Sequence, residues 1–310
     1  MAHGRFRHAG RVGRVIDIPE GLARSQAEYA GEAGRAFVAA LPARVEEFVE
    51  RWGLRLDGAP MHGVAALVLP VVRRADGVPA VVKFQMLDAE TEGEPVALRV
   101  WDGDGAVRLL GHDARTGTML LERLDAARML SSVENTRKAV LVIAGLLARL
   151  TAGPAPEGMR RLDDIAARML AAVPAALRRI SDPGRRAVVA SCAAALREVA
   201  AEPAGDRLLH WDLHFENVLA SEREPWVAID PKPLAGDPGF DLWPALDNRF
   251  EPDEVLWRFD AMTDVLGLER ERARAWTLGR VLQNALWDVA DGRELSADDL
   301  EIAGRLLGGR

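Results

Sequence analysis

The chain has 310 residues, 49% of them hydrophobic, which suits a folded globular protein of one or two domains and excludes a disordered one. Its formal net charge of −7 argues against general nucleic-acid binding and suits a cationic partner. A single cysteine, Cys192, excludes a disulfide framework and a multi-cysteine zinc site; in its alanine-rich setting it reads as a small buried residue.

The start, "MAHGRFRHAGRVGR", carries arginines without a following apolar run, so it does not read as a signal peptide. Such a segment can be a nucleic-acid-binding arm, but a disordered tail over residues 1–16 is the expectation. Residues 25–52 read as helix, with Phe48 and Trp52 four apart on one face. "GVAALVLPVVRRADGVPAVVKF" (63–84) is two β-rich runs around Asp76-Gly77, a hairpin signal. A helix follows over 88–101, then strands "AVRLLGH" and "GTMLLER".

From about residue 125 the character becomes helical. "SSVENTRKAVLVIAGLLARL" is a long helix with Ser132 as its N-cap; its apolar part is too short, and carries an arginine, for a membrane span. Residues 160–201 are amphipathic and broken near Pro174 and by "SDPG". "HWDLHFENVLA" and "PWVAID" read as short strands or turns, and 253–308 returns to helix. The expected fold is α+β, with a small sheet-containing N-terminal lobe (1–122) and a mostly helical C-terminal lobe (123–310), joined narrowly near 122–126.

The chemistry lies in "HWDLHFEN", which fits H-x-D-x-x-x-x-N, with Asp230 thirteen residues after Asn217. In kinase-type phosphoryl transfer an aspartate on a rigid loop accepts the acceptor hydroxyl proton. An asparagine one turn on reaches a magnesium ion, and a second aspartate at a strand end holds the metal on the nucleotide phosphates. Those roles fall on Asp212, Asn217 and Asp230. The ordinary use of such Asp and Asn residues is a turn held by their side chains. His210 and His214, four apart, lack an H-E-x-x-H context; His210 is expected to brace the loop backbone and His214 to pack or lie on the surface.

A kinase also needs a lysine on a strand after a hairpin, and "VPAVVKF" supplies Lys83. The chain holds 40 Lys plus Arg, yet lysine stands only at 83, 138 and 232. Glu94 and Glu90, four apart, are both candidates to orient Lys83, with Glu94 preferred. Against it, Thr91-x-x-Glu94 forms a capping box with Pro95 in the first turn. "DGAPMHG" (57–63) occupies the phosphate-covering position but is not G-x-G-x-x-G, and no Gly-Lys pair exists for a P-loop.

"LLHWDLHFENVLASEREPWVAIDPKPLAGDPGFDLWPALD" (208–247) resembles the streptomycin 6-phosphotransferases of the aminoglycoside and hydroxyurea antibiotic resistance kinases. "ALRVWDGDGAVRLLGHD", "TMLLERLD", the hairpin before Lys83 and "AWTLGRVLQNALWD" extend the resemblance over nearly the whole chain after residue 17. It implies an aminoglycoside-kinase-like, protein-kinase-like bilobal fold that uses ATP with magnesium to phosphorylate a streptidine hydroxyl of streptomycin. By the same resemblance Asp212 is the base, Asn217 and Asp230 hold magnesium, and Lys83 binds the nucleotide phosphates. Leu120 to Arg123, including Glu122 and Arg123, form the adenine-binding hinge, and Asp237 and Asp241 lie behind the catalytic loop, with Asp241 bracing amides.

A pocket for two guanidinium groups wants carboxylates and indole faces, and Asp247 and Asp288, each near a tryptophan, are the substrate candidates. A cytoplasmic monomer with no nucleic-acid or membrane partner is expected. Two alternatives stand beside this reading. One is a kinase of another small alcohol or hydroxyurea; the other is a non-catalytic, kinase-like drug-binding protein.

Overall fold

The computed structural model describes residues 16–309; apart from Ile16, the tail expected over 1–16 lies outside them. The chain gathers into two compact units. One holds the residues up to Met86 with Ala114–Leu120, the other Leu87–Asp113 with the chain from Leu121 onward. Leu87–Asp113, which chain order alone assigns to the first lobe, thus clusters with the second unit.

The first unit opens with α1 (Glu20–Tyr29) and α2 (Gly31–Arg51), where sequence predicts one helical stretch over 25–52. Gly31, with φ +55°, breaks the two apart. Gly34 lets the helices close: a Cβ there would lie 2.0 Å from the Gln26 carbonyl oxygen. Leu41, Val45 and Phe48 repeat at helical spacing and are fully buried. They pack on a sheet of β1 (Leu54–Leu56), β2 (Met61–His62), β3 (Ala66–Arg73) and β4 (Pro79–Gln85). The ring of Phe48 meets Trp52 edge-on at 4.7 Å and Phe84 at 6.0 Å.

The expected hairpin is β3–β4, antiparallel, with Val68 opposite Lys83. Its turn uses Gly77 at φ +73°, and the Asp76 carboxylate accepts from Val78 N at 3.1 Å. Strand alternation buries Ala80, Val82 and Phe84 on the helix-covered face, which puts Lys83 on the other face.

In the second unit come α3 (Glu94–Trp101) and β5 (Leu109–Asp113), then β6 (Thr118–Glu122), whose first three residues belong to the first unit beside β4. Helix α3 starts six residues later than predicted. Asp88 is the cause: its carboxylate accepts from Glu90 N and Thr91 N, both at 2.8 Å, closing a turn. The Thr91 hydroxyl accepts from Asp88 N at 2.9 Å; the N-cap position of α3 is Gly93, without a side-chain cap bond, and Pro95 occupies the first turn.

The unit continues through β7 (Asp125–Met129), α4 (Thr136–Leu150), α5 (Leu162–Arg179), α6 (Pro183–Val199), β8 (Arg207–Leu209), β9 (Val218–Ala220), β10 (Val227–Ala228), β11 (Leu234–Gly236), α7 (Trp243–Asp247), α8 (Val255–Leu266), α9 (Arg270–Asp291) and α10 (Ala297–Gly308). The N-cap of α4 is Asn135, whose side chain accepts from Lys138 N at 2.9 Å; Ser132 instead donates to Met129 O in the preceding turn. Helix α5 runs through Pro174 without the expected break. Helix α9 is the spine, with Trp276, Leu278 and Leu282 fully buried. Two small antiparallel sheets, β10-β9-β7 and β11-β8, sit among the helices and carry the functional loop.

Candidate active site

Strand β8 delivers His210, and Trp211 turns the chain through φ +67° so that Asp212 follows on a rigid loop. Asp241 clamps that turn. Its two carboxylate oxygens accept from His210 N at 2.8 Å and Trp211 N at 2.5 Å. Burial pushes the Asp241 carboxyl up to about 7, against these amide donors, which favour the ionised form.

His210 is fully buried and its ring is used at both nitrogens. Asp212 N donates to Nδ1 at 3.3 Å, so the proton sits on Nε2, which donates to Ile229 O at 3.0 Å. Burial pulls its pKa down to about 3, so the ring is neutral, and Trp101 stacks against it at 6.1 Å. The imidazole is thus a strut between the loop and the strand that leads to Asp230.

The short turn Phe215–Asn217 brings the asparagine back to the loop. Asn217 Nδ2 donates to Asp212 O at 2.9 Å, and Asn217 O accepts from Ile229 N at 2.9 Å. One residue later Asp230 takes φ +56°, a left-handed conformation that costs a non-glycine residue energy and re-aims its carboxylate out of the strand direction. Lys232 Nζ donates to Asp230 Oδ2 at 3.0 Å. Burial raises the pKa of the Asp212 carboxyl; His214, Lys232 and Arg280 pull it down, and the charge of Asp230 pushes it up again. Two mutually repelling carboxylates sharing a half-buried site are an arrangement that a cation stabilises.

Among the described residues no three His, Cys, Asp or Glu side chains form a protein-only metal site. The donors present suit magnesium all the same, because it is commonly held by one or two protein oxygens plus substrate phosphates. With Nδ2 committed to Asp212 O, Asn217 has its Oδ1 oxygen left to offer. The ammonium on Asp230 shows that its carboxylate seats a cation.

The sequence profile of the aminoglycoside/hydroxyurea antibiotic resistance kinases matches residues 51–292. The chain belongs to that family. A hydroxyurea phosphotransferase of Kitasatospora aureofaciens is 63% identical over 94% of this chain and 86% of its own length. A streptomycin 6-kinase of Streptomyces glaucescens is 56% identical over 90% of this chain and 93% of its own, and one of Streptomyces griseus is 53% identical over 89% and 92%. A choline kinase of Streptococcus pneumoniae has TM-score 0.55 at 15% identity, covering 87% of this chain and 98% of that one. An aminoglycoside phosphotransferase in ternary complex with ADP and hygromycin B has TM-score 0.55 at 17% identity, covering 84% and 95%. The fold is therefore protein-kinase-like, as the resemblance implies.

Within each unit of this resistance kinase the predicted residues have distinct settings. Asp212, Asn217, Asp230, His210 and Asp241 are joined by the hydrogen bonds above. Lys83 is buried on β4 of the first unit; Glu94 is fully buried in the first turn of α3, and Glu90 is half-buried in the turn before it. Asp237 caps the turn 238–241 through Gly239 N at 2.9 Å and accepts from Arg272 at 2.6 Å, so it supports the loop from behind. His214 pairs with Glu216 at 2.9 Å on the surface. The Glu122 carboxylate is held by Arg223 at 2.6 Å and by Arg108 N at 2.9 Å, and its own N–H is spent on Arg108 O at 3.0 Å.

The two substrate candidates differ. Asp288 is engaged by Arg293 at 3.1 Å and Ser296 N at 3.2 Å, a local tie after α9. Asp247 is half-buried with its pKa raised by burial and then by Asp298, and its carboxylate accepts no hydrogen bond among the described residues.

Sequence reasoning missed the arginine–tryptophan cluster beside the loop. The guanidinium of Arg280, nearly fully buried, lies 5.3 Å from the ring centres of Trp211, Trp243 and Trp287, and Arg160 lies 4.8 Å from that of Trp211. Cation–π contact of this kind shields a buried charge, and Arg280 acts electrostatically on Asp212. The signal available was "AWTLGRVLQNALWD", where Trp276, Arg280 and Trp287 lie near helical spacing, but such a stripe usually means core.

Proposed function

We propose that this kinase transfers the γ-phosphoryl group of ATP to a hydroxyl of the streptidine ring of streptomycin, inactivating the drug in the cytoplasm. The observation that supports it best is the half-buried Asp212, tied through Asn217 and Ile229 to the segment that leads to Asp230, on a chain similar over most of its length to streptomycin 6-kinases.

Positioning and electrostatics carry the chemistry. The acceptor oxygen attacks the γ-phosphorus, the bond to the β-phosphate oxygen breaks, and ADP leaves with the electron pair. Asp212 aligns the acceptor hydroxyl and takes its proton; its raised pKa suits a base that must accept one. Asn217 Oδ1 and Asp230 are the oxygens that would hold magnesium, which when bound neutralises charge on the phosphates. Lys83 takes the phosphates as a compact point charge, oriented by Glu94 or Glu90, and the backbone of Leu120–Arg123 reads the adenine. Of the two acids near tryptophans, Asp247 is the better contact for a substrate guanidinium, because its carboxylate is uncommitted while that of Asp288 is tied. A monomer is sufficient for all of these roles.

A second reading, phosphorylation of hydroxyurea, is favoured by the 63% identical relative. The same catalytic set serves either acceptor, since specificity resides in the pocket and not in the phosphoryl-transfer machinery. Purified protein with ATP and magnesium is offered streptomycin and hydroxyurea separately, and the products are weighed by mass spectrometry. One phosphate added to the streptidine portion is the expected result. A phosphate on hydroxyurea alone moves the assignment to the second reading. ATP-independent tight binding of the drug, with no turnover on either acceptor, removes the enzymatic reading altogether.

A further inference from the structure

Lys232 stands two residues after Asp230 and has no part in the mechanism above. It is one of three lysines in a chain whose Lys plus Arg number 40, so an ammonium at this position is a departure from the chain's habit. Its Nζ lies 3.0 Å from Asp230 Oδ2, with the two side chains 19% and 34% exposed. The pair is thus partly withdrawn from water, where a charge-assisted hydrogen bond keeps more of its strength than at an open surface.

The backbone around this pair is pinned. Lys232 sits between Pro231 and Pro233, whose rings fix their own φ and confine Lys232 to extended conformations. Its N–H donates to His210 O at 2.9 Å, and its carbonyl accepts from Arg160 Nη2 at 3.1 Å. Asp230 is itself held at φ +56°. Neither main chain is placed to retreat from the other; the mobile part is the four-carbon arm of the lysine. That arm also acts on Asp212, so its ammonium lies within electrostatic reach of both carboxylates of the site.

A guanidinium here would make two parallel bonds to the carboxylate and lock it. An ammonium makes one contact and exchanges partners readily. We propose that Lys232 is a resident counter-ion of Asp230: it holds the carboxylate while no divalent cation is bound, competes with that cation, and gives way when the cation arrives with nucleotide phosphates, whose oxygens offer the ammonium a new partner. The protein then binds free divalent cation weakly and admits it as a nucleotide complex. This rests on the assignment of Asp230 as a metal ligand made above.

The test is titration with Mn2+, followed by electron paramagnetic resonance, on the whole protein without and with ADP, for wild type, Lys232→Met, Lys232→Arg and Asp230→Asn. Thermal unfolding confirms that each variant is folded. Without nucleotide, Lys232→Met is expected to bind Mn2+ about tenfold more tightly than wild type, the change expected when a competing interaction of about 1.4 kcal/mol is removed. Lys232→Arg, which keeps a cation on Asp230, should stay as weak as wild type or weaker. With ADP the advantage of Lys232→Met should vanish.

Equal or weaker Mn2+ binding by Lys232→Met, alongside lost binding in Asp230→Asn, overturns the counter-ion role and leaves the metal assignment standing. Unchanged Mn2+ binding in Asp230→Asn overturns both.

Discussion

Asp212 is a half-buried carboxylate whose pKa is raised by desolvation, yet whose backbone is fixed on both sides, by His210 Nδ1 at its N–H and by Asn217 Nδ2 at its carbonyl. Its side chain is the part free to work on an acceptor, while its main chain holds the loop. Replacing it by alanine removes the proposed base and leaves those backbone bonds in place. We expect Asp212→Ala to lose about 10²–10⁴-fold in turnover, the usual range for a positioned acid–base group. Nucleotide affinity, read by isothermal titration, should stay within a few fold of wild type. Near-normal turnover in that variant would remove Asp212 from its role. Asp241 works one step further out. It touches only two loop amides, and the sequence motif "GDPGFD" placed it there because a loop with two consecutive exposed N–H groups needs an acceptor once it is buried.

At the scale of elements, strong periodicity predicted type well and boundaries poorly. The hairpin at Asp76-Gly77 follows from a turn that needs a positive φ and from flanking β-rich runs, and it delivers Lys83 where it was expected. Two of the helix starts differ from expectation because polar side chains beside the start bind amides there. Asp88 takes the amides of Glu90 and Thr91, and Asn135, not Ser132, takes that of Lys138. Asn135→Ala should therefore cost about 1 kcal/mol in urea denaturation, and Ser132→Ala less than about 0.5 kcal/mol. The reverse order would restore Ser132 as the cap. Pro174 was expected to break a helix and does not; α5 buries Ile165, Met169, Val173 and Ala176 along one face, and that packing outweighs one missing amide bond.

For the whole molecule, buried ionisable groups make stability depend on pH in opposing ways. His210 has its folded pKa depressed to about 3 from an ordinary 6.5. Below about pH 6.5 the unfolded chain takes up a proton that the folded one refuses, so this contribution is complete above 6.5 and is lost as pH falls toward 3. Asp241 and Asp299, both pushed up to about 7 by burial, act in the opposite sense; the stability they add is present at low pH and fades as pH rises through 7. The histidine part is isolated by comparing wild type with His210→Gln, which keeps a donor and an acceptor but does not titrate. The stability difference between the two should narrow by about 1.4 kcal/mol per pH unit between 6.5 and 3. A pH-independent difference would mean that His210 is not held neutral.

The sequence by itself determined the family, the fold and the kinase class of this protein. Spacing in "HWDLHFEN" and the strand before Asp230 are local in the chain, and local patterns survive without knowledge of packing. The same holds for Lys83 after its hairpin and for the family to which the chain belongs. Tertiary structure alone decided which charged groups share the site. Arg160, Arg280, Trp243 and Trp287 come from distant segments to surround Trp211 or its neighbours, and Asp288 is bonded to Arg293 and Ser296. Lys232 was visible as a rare lysine, but its partner was not, because Asp230 reaches it only through a left-handed turn that no pattern of side chains announces. Charge pairing depends on distance and burial, and both are set by packing between segments far apart in the chain.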